Sequence, residues 1–310
     1  MIRRYFIVLG TTFSGSGFVS ELIASAPNIS CPLKDREYLL PHSPGGIQEL
    51  LAASGVAFSN PISNFAYHRF LETSSRLGRK SNFFSSGGEY GALLPNYWEA
   101  LENLCSAIVE TDYEYGLYWD WFTSNLIQKQ SKYSRLFASK ALPVILLKEP
   151  SYILESVRTF HDSIFAGGPN ILLNQAGSAW NPNATKNLFS NCHVIVVIRD
   201  PRDQFFEMKK FKKATNAEKF CTWYRAMRKK IEGAASEGVF LLVQFENAVT
   251  KFENLKSELA TLAQLDKNTF DFDHEPSKNN IGQGARFLDS GELHIIQKEL
   301  SMFFWEEELC

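Results

Sequence analysis

The chain has 310 residues, of which 45% are hydrophobic and 21% are charged, and its formal net charge at pH 7 is −2. This composition excludes a disordered or low-complexity chain, and the length suits one large domain or two small ones. The nearly balanced charge gives no indication of nucleic-acid binding. We expect a single domain over residues 1–310 and no nucleic-acid partner.

Short apolar runs alternate with helical stretches along the chain. Unbroken apolar runs are typical of strands buried on both faces of a parallel sheet. Such runs lie at Tyr5–Leu9, Val144–Leu147, Val194–Ile198 and Val239–Phe245. Helices are predicted at Phe18–Ala24, Asn96–Val109, Tyr115–Lys129, Pro201–Lys212, Ala217–Glu232, Lys251–Ala263 and Glu292–Trp305. The alternation predicts an α/β fold with three layers (α/β/α) and a central parallel sheet of about four to five strands.

The amino terminus imitates a signal peptide, because basic residues precede the apolar run that ends at Gly10. That run is shorter than a signal-peptide core, so we interpret Tyr5–Leu9 as a buried first strand. No apolar run approaches the ~18–20 residues of a membrane helix. The five cysteines are scattered without a C-x-x-C pair, which disfavours disulfides and a zinc site. We therefore expect a cytoplasmic protein without a metal or a transmembrane segment.

Two long segments, residues 41–90 and 166–191, lack clear periodicity. The first is rich in Ser, Gly and Phe, and the second contains Gly167, Gly168 and Pro169. Connections of this length inside a compact domain are usually binding loops, lids or disordered segments. We expect both segments to be loops that shape an acceptor site.

A glycine-rich turn follows the first predicted strand, in the order Thr11-Thr12-Phe13-Ser14-Gly15-Ser16-Gly17. Between a strand and a helix, such a turn directs backbone N–H groups and a helix N-terminus at one anion. The spacing from Gly10 to Gly15 matches half of a Walker A loop, but Ser16 stands where that loop has lysine. An ATP-hydrolysing P-loop is therefore disfavoured, and the alternative is an ordinary strand–helix turn.

A second motif, Arg199-Asp200-Pro201-Arg202-Asp203, directly follows an apolar strand. The carboxyl edge of an open α/β sheet is where ligands bind, and Pro201 suits the first position of a helix. Arg199 is thus placed for bidentate contact with a phosphate. The alternative is that Arg199 pairs with Asp200 or Asp203.

In this order, the two motifs resemble the sulfotransferase superfamily that uses 3′-phosphoadenosine 5′-phosphosulfate (PAPS), in style closer to its carbohydrate-type members. Three more landmarks are similar to that family: Leu147–Pro150, Val239–Val249 and Ser277–Gly282. The resemblance implies a P-loop-like fold, no metal, and the product adenosine 3′,5′-bisphosphate. It implies that the first loop holds the 5′-phosphosulfate, that Arg199 and position 207 hold the 3′-phosphate, and that a late loop completes the donor site. The donor-binding residues so implied are Thr12, Phe13, Ser14, Gly15, Ser16, Gly17, Phe18, Arg199, Glu207, Lys278 and Gly282.

Two of these positions depart from the family pattern. Phe13 stands where the family usually has Lys or Arg, and Glu207 stands where it usually has a serine. A carboxylate at position 207 would repel a 3′-phosphate unless it turns away or pairs with Lys210 or Lys213. Candidates to replace the first donor are Lys34, Lys148 and Lys278, and candidates to help with the second are Lys209, Lys210 and Lys212.

The resemblance also implies a catalytic base in the segment Pro32–Leu40. Glu37 is the best match, Asp35 is second, and Lys148 is a further catalytic candidate. A carboxylate within hydrogen-bond reach can take the proton that an acceptor hydroxyl loses as it attacks sulfur. His42 and His68 are minor candidates, and the alternative is that this charged segment is a solvated turn.

The function implied is transfer of a sulfuryl group from PAPS to a hydroxyl or amine of a carbohydrate, lipid-linked or small hydroxylated acceptor. Two other classes remain open. One is a nucleotide or sugar kinase on a P-loop-like fold, and the other is a catalytically inactive nucleotide-binding or interaction protein. Phe13 and Glu207 are the residues that favour the inactive protein.

Overall fold

The computed structural model describes residues 3–55, 60–79, 87–113, 144–165, 167–235 and 240–306. Its strands are β1 (Arg4–Gly10), β2 (Val109–Tyr113), β3 (Val144–Leu147), β4 (Asn170–Asn174), β5 (Cys192–Ile198) and β6 (Phe240–Gln244). Its α-helices are α1 (Ser16–Ala24), α2 (Ile47–Gly55), α3 (Asn60–Gly78), α4 (Tyr90–Leu93), α5 (Tyr97–Ile108), α6 (Pro150–Ile164), α7 (Pro182–Asn187), α8 (Pro201–Lys210), α9 (Ala217–Ala235), α10 (Phe245–Thr250), α11 (Phe252–Ala263), α12 (Glu275–Lys278), α13 (Gln283–Phe287) and α14 (Ser290–Leu300). Short 3₁₀ turns lie at Lys267–Thr269 and Ser301–Phe303. The helix predicted at Tyr115–Lys129 lies outside the described residues.

The described chain forms two compact units. The first contains Met1–Tyr38 and Gly167–Cys310, and the second contains Leu39–Ala166. That all 310 residues act as one domain stays a prediction.

A parallel sheet with the strand order β4-β1-β5-β6 forms the centre of the first unit. Its strands are buried because they are apolar on both faces, and β1 has no exposed residue between Tyr5 and Leu9. Helices α1, α10 and α11 pack with one face of the sheet into a single apolar core. The predicted α/β class with a central parallel sheet is confirmed, with four strands.

The strand order reverses at β1. The next strand of this sheet in the chain, β4, pairs with one side of β1, and β5 then pairs with the other side. In open α/β sheets, ligands bind at the carboxyl ends of strands where the order reverses in this way. The loop that leaves Gly10 therefore begins at the point of the sheet best placed to bind a ligand.

The second unit contains a two-stranded antiparallel sheet of β2 and β3. The predicted strand Val144–Leu147 is thus present, but it is not part of the parallel sheet. Helices α5 and α6 pack together in the same unit, and α2 packs with α3.

The two segments predicted as long loops contain regular structure in their described residues, so the prediction of loops was wrong, and that these segments shape an acceptor site stays a prediction. Residues 41–90 include α2 and α3, and residues 166–191 include β4 and α7. The buried stripe of α3 has helical spacing, but it includes two serines, Ser63 and Ser74. The Ser74 hydroxyl donates to the carbonyl oxygen of Phe70 (2.6 Å), so it has a hydrogen-bond partner although it is buried. Serines on the buried face hid the apolar period of this helix in the sequence.

Candidate functional site

The glycine-rich turn forms a tight loop between β1 and α1. Gly15 caps α1 in a left-handed conformation with φ of 89°, which favours glycine. A Cβ atom at Gly15 would lie 2.3 Å from the ring of Phe245, so the backbone needs glycine there for space as well. Phe13 is also left-handed (φ 59°), and the Ser14 N–H donates to the carbonyl oxygen of Thr11 (2.9 Å).

This loop contains a hydroxyl and helix N–H groups that are available to bind a ligand. The Ser14 side chain is 1% exposed, and its hydroxyl has no partner among the residues that the structure describes. Ser16 and Gly17 lie in the first turn of α1, where a helix leaves N–H groups without an intrahelical partner. A buried hydroxyl without a partner is costly unless a ligand completes it. The loop therefore fits an anionic group, such as the phosphosulfate of a nucleotide.

Two glutamines that the sequence interpretation missed hold the loop in place. Gln175, directly after β4, donates to the Ser16 hydroxyl (3.0 Å) and accepts from the Gly10 N–H (3.2 Å). Gln204, fully buried in α8, donates to the carbonyl oxygen of Thr12 (2.6 Å) and to the hydroxyl of Thr11 (2.9 Å). No sequence signal marked Gln204, because its burial in α8 is visible only in the structure. Gln175 was hidden because β4 itself was not recognised.

Arg199 lies directly against the loop. Its guanidinium donates to the carbonyl oxygens of Phe13 (3.1 Å) and Asn280 (2.6 Å), and its side chain is 5% exposed. The ring of Phe245 lies 5.1 Å from its guanidinium carbon. The Arg199 Nε is buried without a partner among the described residues. The structure thus brings Arg199 and the glycine-rich first loop together with the segment Ser277–Gly282, which is the late loop.

The two aspartates of the motif do not form ion pairs with Arg199. Asp200 instead pairs with Arg202 (2.6 Å) and accepts from the Trp305 N–H (2.9 Å). Asp203 accepts from the N–H groups of Gly282 and Gly284, both at 2.7 Å. Burial raises the pKa of Asp203, although those hydrogen bonds and the charge of Arg199 act in the opposite direction.

A buried glutamate fixes the turn that carries Arg199. Glu246 is fully buried; one carboxylate oxygen accepts from the Asp200 N–H (2.9 Å) and the other from the side chain of Gln244. Burial raises the pKa of Glu246 to about 7, because the charged form loses more hydration than these hydrogen bonds return. The sequence interpretation matched this position to a family motif without giving it a role.

The two departures from the family pattern lie at the two ends of this cluster. The Phe13 ring stacks on the ring of Phe211, with centroids 5.0 Å apart. The Glu207 side chain is 12% exposed, and its carboxylate lies 3.9 Å from the ammonium of Lys210. The pairing with Lys210 that the sequence suggested is present, although it is long. Lys209 instead contacts Glu292 (2.6 Å).

The candidate base Glu37 lies at the same carboxyl edge of the sheet. Its backbone forms a parallel bridge to Asn174, the last residue of β4, and the Tyr38 N–H donates to the Asn174 carbonyl oxygen (2.9 Å). Gln175, whose side chain contacts Ser16 and Gly10 of the glycine-rich loop, is the next residue. Asp35 lies in the same segment and is exposed.

The remaining lysine and histidine candidates have other surroundings. Lys278 pairs with Glu275 (2.8 Å), and Lys34 is exposed. Lys148 belongs to the second unit, where its ammonium lies 4.2 Å from the ring centroid of Tyr152. His42 and His68 also belong to the second unit, and burial lowers the pKa of His42.

The described residues contain no group of three or more His, Cys, Asp or Glu side chains arranged to hold a metal ion. Within the same residues, no helix has both the length and the apolar character needed to cross a membrane.

No protein-family model and no curated protein matches the sequence. Among solved structures, the chain is similar to a sulfotransferase domain from the olefin synthase of Synechococcus PCC 7002, at 13% identity and a TM-score of 0.48, with 99% of this chain and 98% of that one covered. It is also similar to the sulfotransferase STF9 from Mycobacterium avium, at 12% identity and a TM-score of 0.41, with 99% and 79% covered. Because both TM-scores lie below 0.5, the functional assignment rests on the site geometry and not on these similarities.

Proposed function

We propose that this protein transfers a sulfuryl group from PAPS to a hydroxyl, or an amine, of an acceptor that is carbohydrate, lipid-linked or a small hydroxylated molecule. The observation that supports it most is the unpartnered, buried Ser14 hydroxyl inside a loop at the reversal point of the sheet, with Arg199 against that loop. The free cysteines at 31, 105, 192 and 221 are compatible with the reducing cytoplasm that we propose as its location.

In the proposed reaction, the loop residues would bind the donor and Glu37 would act as the base. When bound, PAPS supplies the sulfuryl group and leaves as adenosine 3′,5′-bisphosphate. The loop N–H groups and the Ser14 hydroxyl would stabilise negative charge on the phosphosulfate oxygens. Glu37 would accept the proton of the acceptor hydroxyl while the acceptor oxygen bonds to sulfur and the sulfur bond to the leaving phosphate oxygen breaks.

Arg199 would supply the positive charge that the loop lacks at Phe13. Its guanidinium is hydrogen-bonded to the carbonyl oxygen of Phe13 itself, so a cation lies against the loop although it comes from the end of β5. Fixed charge in a buried site acts more strongly than in water. Lys148 and Lys278 are therefore not needed for this role in our proposal.

Calorimetric titration in the presence of a chelator tests the proposal. We expect adenosine 3′,5′-bisphosphate to bind without metal and to be preferred over ATP with Mg²⁺. A preference for ATP with Mg²⁺ would support a kinase instead. Absence of binding by either nucleotide would support an inactive interaction protein.

A further inference from the structure

The donors of the late loop are already engaged by the protein. The Gly282 and Gly284 N–H groups both donate to the carboxylate of Asp203, which is 2% exposed. A Cβ atom at Gly284 would lie 2.2 Å from the carbonyl group of Arg202, so α13, which follows the late loop, lies directly on the start of α8. An internal carboxylate thus occupies two N–H groups that would otherwise be open to a phosphate.

Arg199 is engaged in part, since its Nε remains buried without a partner among the described residues. Two of its N–H groups donate to backbone carbonyl oxygens, of Phe13 and Asn280, and these two bonds join the first loop to the late loop. To bind a 3′-phosphate with both of these groups, the guanidinium would have to break both bonds. Losing them would leave two carbonyl groups without a partner, which costs free energy.

The nearby charges also disfavour a 3′-phosphate. Asp203 and Glu207 are both buried carboxylates, and a phosphate dianion beside them would be repelled. Three lysines of this region have acidic partners: Lys209 contacts Glu292, Lys278 contacts Glu275, and Lys210 lies 3.9 Å from Glu207. The residues present fit a phosphosulfate in the first loop, and they do not fit a phosphate at the other end of the nucleotide.

We propose, building on the proposed function, that the protein does not recognise the 3′-phosphate of its donor. The 5′-phosphosulfate and the rest of the nucleotide carry the binding. An adenosine 5′-phosphosulfate donor without a 3′-phosphate would therefore bind about as well as PAPS. This specificity follows from Glu207, which stands at the position that the family resemblance assigns to the 3′-phosphate, and from Asp203, which occupies two nearby N–H groups.

Two probes that differ only in the 3′-phosphate test this proposal. Adenosine 3′,5′-bisphosphate and adenosine 5′-monophosphate are titrated into the full-length protein by calorimetry with a chelator. We expect their dissociation constants to differ by less than about fivefold, because one charge-assisted hydrogen bond alone contributes about tenfold or more. A preference of fivefold or more for the bisphosphate would overturn the inference and leave the proposed function standing. If neither nucleotide binds, the proposed function fails, and the inference fails with it.

The variant Glu207→Ser tests the same proposal through a change in the ratio of the two dissociation constants, whatever that ratio is in the wild-type protein. It removes the repelling carboxylate and supplies a hydroxyl, so we expect bisphosphate affinity to rise at least fivefold relative to the monophosphate. Glu207→Gln removes only the charge and should shift the ratio in the same direction. Glu218→Ser, which removes an exposed charge in the first turn of α9, is the matched control. An unchanged ratio in both Glu207 variants would contradict the proposed role of this carboxylate.

Discussion

Removing the Ser14 hydroxyl should weaken nucleotide binding without lowering the stability of the protein. Because it is buried without a partner among the described residues, removing it costs the free protein no hydrogen bond that the structure shows. We expect Ser14→Ala to leave the free energy of unfolding unchanged or higher. Adenosine 3′,5′-bisphosphate affinity should fall about 3- to 10-fold, the effect of one lost hydrogen bond.

Calorimetry and urea unfolding check this pair of effects. Ser25→Ala is the matched control, because Ser25 lies at the other end of α1 and its hydroxyl donates to the carbonyl oxygen of Leu22 (2.7 Å). A destabilised Ser14→Ala protein with unchanged affinity would mean that the hydroxyl has a structural partner instead.

Glu37 is the residue that we propose as the base. Glu37→Gln keeps the shape of the side chain and removes its ability to take a proton, so turnover should fall by about 10²–10⁴ while nucleotide affinity stays the same. The rate of bisphosphate release with an active acceptor measures this. Asp35→Asn, in the same segment, is the control and should retain activity. If Asp35→Asn lowered turnover and Glu37→Gln retained it, the base would be Asp35.

Glu246 predicts a pH dependence of stability. Its pKa is about 7 in the folded protein against an ordinary 4.5, so between these values the folded chain keeps a proton that the unfolded chain releases. Stability should therefore fall as the pH rises from about 4.5 to about 7, by at most about 3 kcal/mol. Urea midpoints across this range should show a smaller fall for Glu246→Gln. Equal slopes for the two proteins would contradict the raised pKa.

The shape of the loop between β1 and α1 depends on Gly15 and not on Gly17. Gly15→Ala would place a Cβ atom against the Phe245 ring at a φ of 89°, so we expect a loss of at least about 2 kcal/mol in stability together with loss of nucleotide binding. Gly17→Ala meets no atom within 4 Å and lies in a helix, so it should stabilise the protein by about 0.4–1 kcal/mol. Thermal unfolding of both variants checks this, and equal effects would contradict the loop geometry.

At the scale of secondary-structure elements, the spacing of apolar residues predicted the strands and helices whose apolar pattern is unbroken. β1, β5 and α9 were found because their buried positions are apolar throughout. β4 has only three central apolar residues, Ile171–Leu173, between two asparagines, so its pattern is too short to predict a strand. α8 ends at Lys210 rather than Lys212, because Lys212 adopts φ of 57° and terminates the helix.

At the scale of the whole molecule, the candidate site is assembled from distant segments. The sequence indicated that the first loop and Arg199 lie at one sheet edge, because both follow buried strands. It could not indicate that Asp203 binds the late loop, since that contact depends on how closely Gly284 approaches α8. The fit to the two ends of a nucleotide could therefore be judged only from the structure.

A crystal structure with adenosine 3′,5′-bisphosphate tests the central claim most directly. We predict the 5′-phosphate within about 2.7–3.1 Å of the Ser14 hydroxyl and of N–H groups in the first turn of α1. A bisphosphate bound elsewhere on the protein, with the Ser14 hydroxyl still unpartnered, would contradict the claim that this loop is the donor site.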